Sequence, residues 1–512
     1  MPLDLTPALR LYAAWRRRRL AALDPAAAQA RELAKLVRAA HGTAFGRDHD
    51  FASIRTVADF QARVPLRRYE EMWDGYWKPA FPVLDNVSWP GRIPYFAVSS
   101  GTTSGSSKYL PLSAHMRRSN VRAALDVLAF HAAARPSSRF FGGASLMLGG
   151  STALVEEAPG IFSGDLSAIA ASTLPRWAQP YAFPPPEIAL LADWNEKLAR
   201  IAEAALDKDI RVLTGTPSWV LILLERMRAL RDARGETASA TLPDLRVFIH
   251  GGVNFAPYRA RFEALFAGRD IDMREVYPAS EGFIAAADRG PGEGLKLSLD
   301  NGLFFEFVPV DELGSARPTR HWTATIEPDV NYAVAMTTCA GLYAYVIGDT
   351  VRFVDVKTPR LLVTGRTSYM LSAFGEHLIG EEIESAVSDA AWAIGADVTD
   401  FSVGPVFPER PGELGRHLYI VECAAAPSAD AAARFAALID ADLQRRNDDY
   451  RAHRAEGHGL HAPEVRIVPP GAFAAWMASR GKAGGQNKVP RIVTDRALFD
   501  SLVAFAARAA AG

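Results

Sequence analysis

In the N-terminal stretch, Asp24 stands where an N-cap belongs and Pro25 in the first helical turn. Leu33, Leu36 and Val37 then recur on one side before Gly42 stops the pattern. That spacing predicts helices that serve as scaffold. From about Tyr95 to Glu281 the pattern changes. Short β-rich runs (YFAVS, SLMLG, RVLT, RVFIH, REVY) alternate with helical segments starting near Ser113, spanning about Glu187 to Leu206, and following Pro217 and Pro257. Alternation of this kind predicts a largely parallel, doubly wound sheet with helices on both faces, whose active loops lie at the carboxyl ends of strands.

Past Gly302 the runs LFFEFVPV, YAVAMTT, LYAYVI, VRFVDV and LLVTG follow one another with hardly any helix, which predicts an antiparallel or barrel-like subdomain. After Gly365 a compact α+β unit begins, with Ile379, Ile383 and Val387 at four-residue spacing, a strand at HLYIVECA, a helix near Asp430 to Leu443 and a last helix near Thr494 to Ala507. The expected fold is α/β. A large N-terminal domain, residues 1–364, combines doubly wound sheets with the β-barrel-like subdomain, and a small C-terminal domain takes residues 365–512.

Composition narrows the function. Of 512 residues, 49% are hydrophobic and 22% charged, so the chain can bury a substantial core. Lys and Arg total 57 against 58 Asp and Glu, which provides no global field for nucleic acid or an anionic membrane. Cys339 and Cys423 alone exclude a disulfide framework and a Cys-based zinc site and point to a cytoplasmic protein. No signal peptide or membrane anchor is expected, nor an oligomer. The run Arg16 to Arg19 reads as a solvated helix face rather than a phosphate contact.

The densest chemistry lies in Ser99-Ser100-Gly101-Thr102-Thr103-Ser104-Gly105-Ser106-Ser107-Lys108, directly after the run YFAV. Small residues let backbone N–H groups approach a polyanion, hydroxyls add donors and the lysine adds charge, so this is a candidate nucleotide loop although it is not GxxxxGK[ST]. Three segments sit where a nucleotide would be completed. His250-Gly251-Gly252 allows backbone to lie against a planar base, or is a plain turn. Tyr277-Pro278-Ala279-Ser280-Glu281 offers an aromatic face, a hydroxyl and a carboxylate able to hold Mg²⁺. Tyr345-Val346-Ile347-Gly348-Asp349 ends an apolar run with an acceptor for ribose hydroxyls, or with an ordinary turn Asp. Gly365-Arg366 opens the C-terminal unit, and near the end Gly484-Gly485-Gln486-Asn487-Lys488-Val489-Pro490-Arg491 presents a lysine on a Gly-rich loop.

In this order, a Ser/Thr/Gly loop ending in Lys, YxxSE, YxxGD, a Gly-Arg hinge followed by GExLxxEEIE, and a late Gly-rich loop with Lys resemble the adenylate-forming superfamily. Within it the chain is most similar to the auxin-responsive acyl-acid amido synthetase family, in its bacterial branch. The family-specific signs are SSGTTSGxxK at Ser99 to Lys108, the segment Thr214 to Trp219, QNKVPR at Gln486 to Arg491, and the stretch Gly42 to Tyr69. Plant members carry a lysine where this chain has Gly375-Glu376-His377, so no role is carried onto His377.

The resemblance implies that a carboxylic acid is activated with ATP to an acyl-adenylate, releasing pyrophosphate, and that an amine, typically of an amino acid, then takes the acyl group. On this reading Ser99 to Ser104 and Lys108 hold phosphates, with Gly251, Gly252, Tyr277 and Ser280 completing the adenine site. Glu281 binds Mg²⁺, Asp349 holds the ribose, and Arg366 lies at the hinge of a mobile C-terminal domain. That domain's Lys488 approaches the α-phosphate. The same-superfamily alternative is a ligase with a thiol acceptor, such as an acyl-CoA ligase.

Overall fold

Helices α1 (Thr6–Ala21) and α2 (Pro25–Ala40) open the chain. The structure is a computed structural model describing residues 3–100, 107–149, 154–191, 193–236, 241–252, 255–367, 370–371, 373–374, 376, 378–407, 414–425, 430–447, 450–451, 454, 460–481 and 489–511. The side chains of residues 100, 107, 194, 218, 256, 257, 370, 510 and 511 are also outside the described set. The chain falls into two compact units, residues 1–347 with 351–362, and residues 348–350 with 363–512. In α2 the Asp24 side chain accepts the Ala27 amide at 2.6 Å, the capping that its position in the sequence predicts.

In the larger unit, β1 (Tyr95–Ser100) and β2 (Ser107–Leu112) pair antiparallel, and with β4 (Val155–Ala158) and β5 (Ile161–Gly164) they form a sheet in the order β2-β1-β5-β4. The run YFAVS therefore stands outside the parallel sheet that its place in the alternation predicts. Its strand turns straight back on itself, and a hairpin needs no crossover helix.

The second sheet has eleven strands. In chain order these are β3 (Ala144–Leu148), β6 (Ala182–Phe183), β7 (Ile210–Gly215), β8 (Val247–Gly251), β9 (Asp272–Ala279), β10 (Gly282–Ala286), β11 (Leu295–Leu297), β12 (Leu303–Pro309), β13 (Asn331–Thr338), β14 (Tyr345–Asp355) and β15 (Arg360–Arg366). Their spatial order is β12-β13-β14-β15-β11-β10-β9-β8-β7-β3-β6. The flank β9-β8-β7-β3-β6 is parallel throughout.

Helices α3 (Ala114–Ala134), α4 (Trp194–Ala205), α5 (Pro217–Ala233) and α6 (Ala256–Leu265) cover this flank. Successive side chains of a strand point to opposite faces. Val247 and Ile249 of β8 accordingly pack with Val127 and Phe130 of α3, while Phe248 between them packs with Leu224 of α5 and Phe262 of α6. That is the doubly wound arrangement.

Beyond β9 the expectation of a barrel-like subdomain is met differently. β10, β11 and β15 continue the same sheet antiparallel, and the β12–β13 pair forms its far edge. Every residue of β12 is buried, with α2 lying against it, so an extra layer of helix does the covering that barrel closure would otherwise do. Gln29 of α2 anchors this contact: its Nε2 donates to the carbonyls of Leu299 and Leu303, and its Oε1 accepts from the Phe305 amide, each at 2.9 Å.

Further boundaries differ from the sequence pattern. The helix expected from Glu187 to Leu206 is two pieces, Pro186–Ala189 and α4, because Asp193 caps a new start by accepting the Glu196 amide at 2.7 Å. The end of the run LYAYVI, from Tyr345, and the run VRFVDV as far as Asp355 belong to a single strand, β14, which continues through Gly348-Asp349. Arg16 is not solvated. It is 3% exposed and held by Asp126 and Asp300, with four contacts between 2.7 and 2.8 Å. Burial would lower its pKa, but these two carboxylates raise it well above the ordinary arginine value. Leaving a charge so buried without its partners would cost about 3–5 kcal/mol.

In the smaller unit, β16 (Met370–Leu371) and β17 (Leu378–Ile379) pair antiparallel and lead into helix α7 (Gly380–Ile394). Ile383, Ala386, Val387 and Ala390 are buried there and Ile379 stands at the N-cap. A three-stranded sheet follows, β18 (Val398–Val406), β19 (Arg416–Cys423) and β20 (Glu464–Val468), with α8 (Ala431–Arg446), α9 (Ala472–Ser479) and α10 (Arg496–Ala511). Both cysteines are buried and unbonded.

Candidate active site

The segment read from the sequence as a loop is mostly strand at its two ends. Ser99 and Ser100 are the last residues of β1 and pair with Lys108 and Ser107 of β2. Gly101, Thr102, Thr103 and Ser104 lie outside the described residues. Lys108 projects over the ring of Tyr69, its Nζ 5.3 Å from the centroid. The Tyr69 hydroxyl accepts the Tyr109 amide at 2.9 Å, which ties β2 to the segment Tyr69–Met72.

At the carboxyl end of β8, Gly251 lies opposite Val276 of β9. A Cβ on Gly251 would stand 2.3 Å from the Val276 carbonyl oxygen, so no other residue fits there without moving the strand. Gly252 follows with φ +82. His250, 2% exposed, stacks on Phe255 at 3.7 Å, and burial lowers its pKa to about 3. It is therefore neutral packing rather than an acid or base.

One residue beyond Val276 comes Tyr277, 7% exposed, and Ala279 then pairs with Gly282. Ser280 and Glu281 are thus the two central residues of a tight hairpin between β9 and β10. Glu281 does not stand alone: Tyr345, 1% exposed at the start of β14, hydrogen-bonds it through the phenol. Burial, then the negative charges of Glu281 and Glu70, raise the pKa of that phenol well above 10, so Tyr345 remains a donor at any physiological pH. Tyr345 also faces Tyr69, and through it the Lys108 side chain. Gly251, Gly252, Tyr277, Ser280 and Glu281 thus lie at the carboxyl ends of β8 and β9, and Lys108 is connected to Glu281 through Tyr69 and Tyr345.

Asp349 and Arg366 belong to the smaller unit, where Arg366 Nε donates to Asp349 Oδ1 at 2.9 Å. Asp349 is not a turn residue. Gly348 takes φ +90 inside β14, and its carbonyl accepts the Thr367 amide at 2.7 Å. That kink sets the Asp349 carboxylate against Arg366. Lys488 and residues 482–487, like Gly375 and His377, lie outside the described residues. Glu376 is buried at 0% exposure and accepts the amides of Ala373 and Phe374 and a hydrogen bond from His417 at 2.8 Å.

Sequence reasoning assigned no role to Tyr345 or Tyr69, since nothing in a linear pattern shows that Tyr345 meets Glu281 or that Tyr69 lies under Lys108. It also passed over Lys197 of α4, which is 2% exposed and reaches the Gly149 carbonyl at 3.3 Å beyond the carboxyl end of β3. Burial lowers its pKa to about 8. A lysine on a solvent-turned helix face would have read the same way.

A half-exposed carboxylate on a hairpin, with a neutral phenol donating to it, suits one protein ligand of Mg²⁺, because that ion is usually held by one or two carboxylates with phosphate oxygens and water supplying the rest. Among the described residues no group of three or more His, Cys, Asp or Glu converges as a metal site. No helix among them is long and apolar enough to cross a membrane.

In fold the chain is similar to a GH3.15 acyl acid amido synthetase, with a TM-score of 0.79 at 17% identity over 98% of this chain and 97% of that one. It is similar at lower score to a 2-hydroxyisobutyryl-CoA ligase, TM-score 0.61 at 16% identity over 93% and 91% of the two chains. In sequence it is 29% identical over 224 residues to the indole-3-acetic acid-amido synthetase GH3.8 of Oryza sativa subsp. indica, covering 40% of this chain and 36% of that protein. It is 26% identical over 222 residues to GH3.3 of Arabidopsis thaliana, covering 41% and 37%. The matched stretch thus spans just over a third of the length of these two relatives. Family models match along most of the chain: the GH3 family N-terminal domain at residues 17–271, the central domain at 296–366 and the C-terminal domain at 381–497. The chain belongs to the GH3 family.

Proposed function

We propose that this protein is an acyl-acid amido synthetase of the family's bacterial branch. It activates a carboxylic acid with ATP to an acyl-adenylate and pyrophosphate, then transfers the acyl group to an amine, an amino acid by preference, giving an amide and AMP. The observation that carries this reading is the Ser280–Glu281 hairpin, fixed by the buried Tyr345 phenol beside the glycine-only end of β8. It is a rigid polar rim at the carboxyl ends of parallel strands, where open α/β sheets bind nucleotides.

In this reading Ser99, Ser100, Gly101, Thr102, Thr103, Ser104 and Lys108 hold the phosphates, Gly251, Gly252, Tyr277 and Ser280 frame the adenine, and Asp349 accepts the ribose hydroxyls. Glu281 holds Mg²⁺, which when bound neutralises phosphate charge. The carboxylate substrate attacks the α-phosphorus and pyrophosphate leaves; the amine then attacks the acyl carbon and AMP leaves with the anhydride oxygen. Neither step needs a protein nucleophile, so positioning and charge neutralisation are what the chain supplies. Residues 1–364 bind ATP and acid. Residues 365–512 form a mobile domain turning about Gly365-Arg366, and it delivers Lys488. The protein acts as a cytoplasmic monomer on small molecules, without nucleic acid or membrane.

The test is a carboxylic-acid library screened for ATP-dependent pyrophosphate release, followed by amino acids added to each hit and amides sought by mass. Release with amide formation is expected. Acyl-CoA as the product, with no amide from any standard amino acid, would replace the amine by a thiol; no pyrophosphate release from any acid would overturn adenylate formation.

A further inference from the structure

The sheet has a second chemical feature at the end opposite Glu281. β10 leaves the hairpin at Gly282 and runs to Ala286, two residues before Asp288. In that region Ala286 pairs with Lys296 of β11, and Lys296 with Arg360 of β15. Here α1, α3 and these strands border an open cavity of about 710 Å³. Five cationic side chains line it, Arg17, Arg18, Arg289, Lys296 and Arg360, against the single carboxylate of Asp288.

Its floor is built and its rim is open. Arg360, with a side chain 4% exposed, is held by Asp288 at 2.8 Å and by Asp355 at 3.0 Å. Lys296, 16% exposed, shares the same Asp288 at 3.8 Å, its one ion pair among the described residues. Arg289 stands 4.0 Å from Glu293. Arg17 and Arg18 are exposed and have no ion-pair partner among the described residues. Once Asp288, Asp355 and Glu293 are set against the five cations, two positive charges remain. The rest of the lining is apolar and includes Leu20 and Ala21 of α1 and Phe130, Ala133 and Ala134 of α3.

We propose that this cavity is a ligand site, separate from the proposed ATP site, for a phosphate monoester with an apolar body. A dianionic head matches the uncompensated charge, whereas a carboxylate would neutralise half of it. Guanidinium groups bind phosphate oxygens in pairs, which suits Arg17 and Arg18 at the rim with the Lys296 ammonium beneath. The volume suits a ligand of ordinary metabolite size. The apolar lining then takes the organic part. Burial and its cationic neighbours hold the Lys296 pKa below the ordinary lysine value despite Asp288, so an arriving phosphate would also favour its protonated form.

The probe is 1-naphthyl phosphate, titrated calorimetrically into the full chain, with 1-naphthoate and inorganic phosphate as comparisons. Saturable binding is expected, at least tenfold tighter than either comparison. It should be weakened at least tenfold in the double variant Arg17→Ala/Arg18→Ala and separately in Leu20→Glu. Both variants change α1 positions outside the proposed catalytic machinery, so circular dichroism and ATP-dependent pyrophosphate release should match the parent. Absence of binding, or binding indifferent to both variants, overturns the site. Equal affinity for 1-naphthoate or inorganic phosphate overturns the ligand class.

Discussion

Tyr345 hydrogen-bonds the Glu281 carboxylate from the first residue of the strand that carries Asp349 four positions later. One short run of sequence thus fixes the group proposed to hold Mg²⁺ and supplies the group proposed to hold ribose. Removing the phenol in Tyr345→Phe leaves the ring and its packing but frees the carboxylate. Loss of a hydrogen bond to a charged group costs about 1.5–3 kcal/mol, so pyrophosphate release at subsaturating Mg²⁺ should fall roughly ten- to hundredfold. Excess Mg²⁺ should restore part of it. A Mg²⁺ titration curve identical to the parent's would show that the pair has no functional part.

Gly251→Ala tests the close approach of β8 to β9. A methyl 2.3 Å from the Val276 carbonyl must push the strands apart, and overpacking of this kind costs about 1–3 kcal/mol. The melting temperature should drop by several degrees and ATP affinity should fall with it. The same substitution at Gly42, where nothing lies within 4 Å of the added carbon, should leave both unchanged.

Asp349→Ala removes the acceptor proposed for the ribose and leaves Arg366 without its 2.9 Å partner. The parent should favour ATP over 2′-deoxy-ATP, and the variant should largely lose that preference. If the ratio of kcat/KM values stays as in the parent, the ribose is held elsewhere.

Lys488→Ala separates the half-reactions. A positive charge is needed while the α-phosphate is attacked and pyrophosphate departs, less so when AMP leaves an existing anhydride. Pyrophosphate release should fall by several orders of magnitude, with conversion of prepared acyl-adenylate plus amine near the parental rate. Lys482→Ala is the control; if it alone abolishes release, the other lysine is the one delivered.

Glu376 predicts an acid limit for the smaller unit. Burial would raise its pKa, but the hydrogen bond and charge of His417, with the backbone amide of Phe374, outweigh burial and hold it below the ordinary 4.5. A carboxylate with a depressed folded pKa stabilises fully above its unfolded pKa and loses that contribution as pH falls through the folded value. Urea midpoints followed below pH 5 should therefore fall more steeply for the parent than for Glu376→Gln, which has no proton to take up.

By itself the sequence determined the elements whose causes are local. Asp24 before Pro25 and Ser113 before a helical run are caps, and capping is decided within one turn. The β-rich runs from SLMLG to REVY alternate with helices and form the parallel flank for the same local reason. The order of Ser/Thr/Gly loop, YxxSE and YxxGD marked the family, whose models match along most of the chain. What required tertiary structure was every question of which element meets which. YFAVS reads like any buried strand, yet it pairs with its own continuation. Arg16 and Arg17 are neighbours of identical type, and only the positions of Asp126 and Asp300, 110 and 284 residues away from Arg16, bury the first while the second lines a cavity. Tyr345 and Glu281 stand 64 residues apart in the sequence and meet because β10, β11 and β15 bring β14 back into the same sheet as β9. Periodicity reports the face a residue turns inward; the partner it finds there is set by chain topology, which no local pattern encodes.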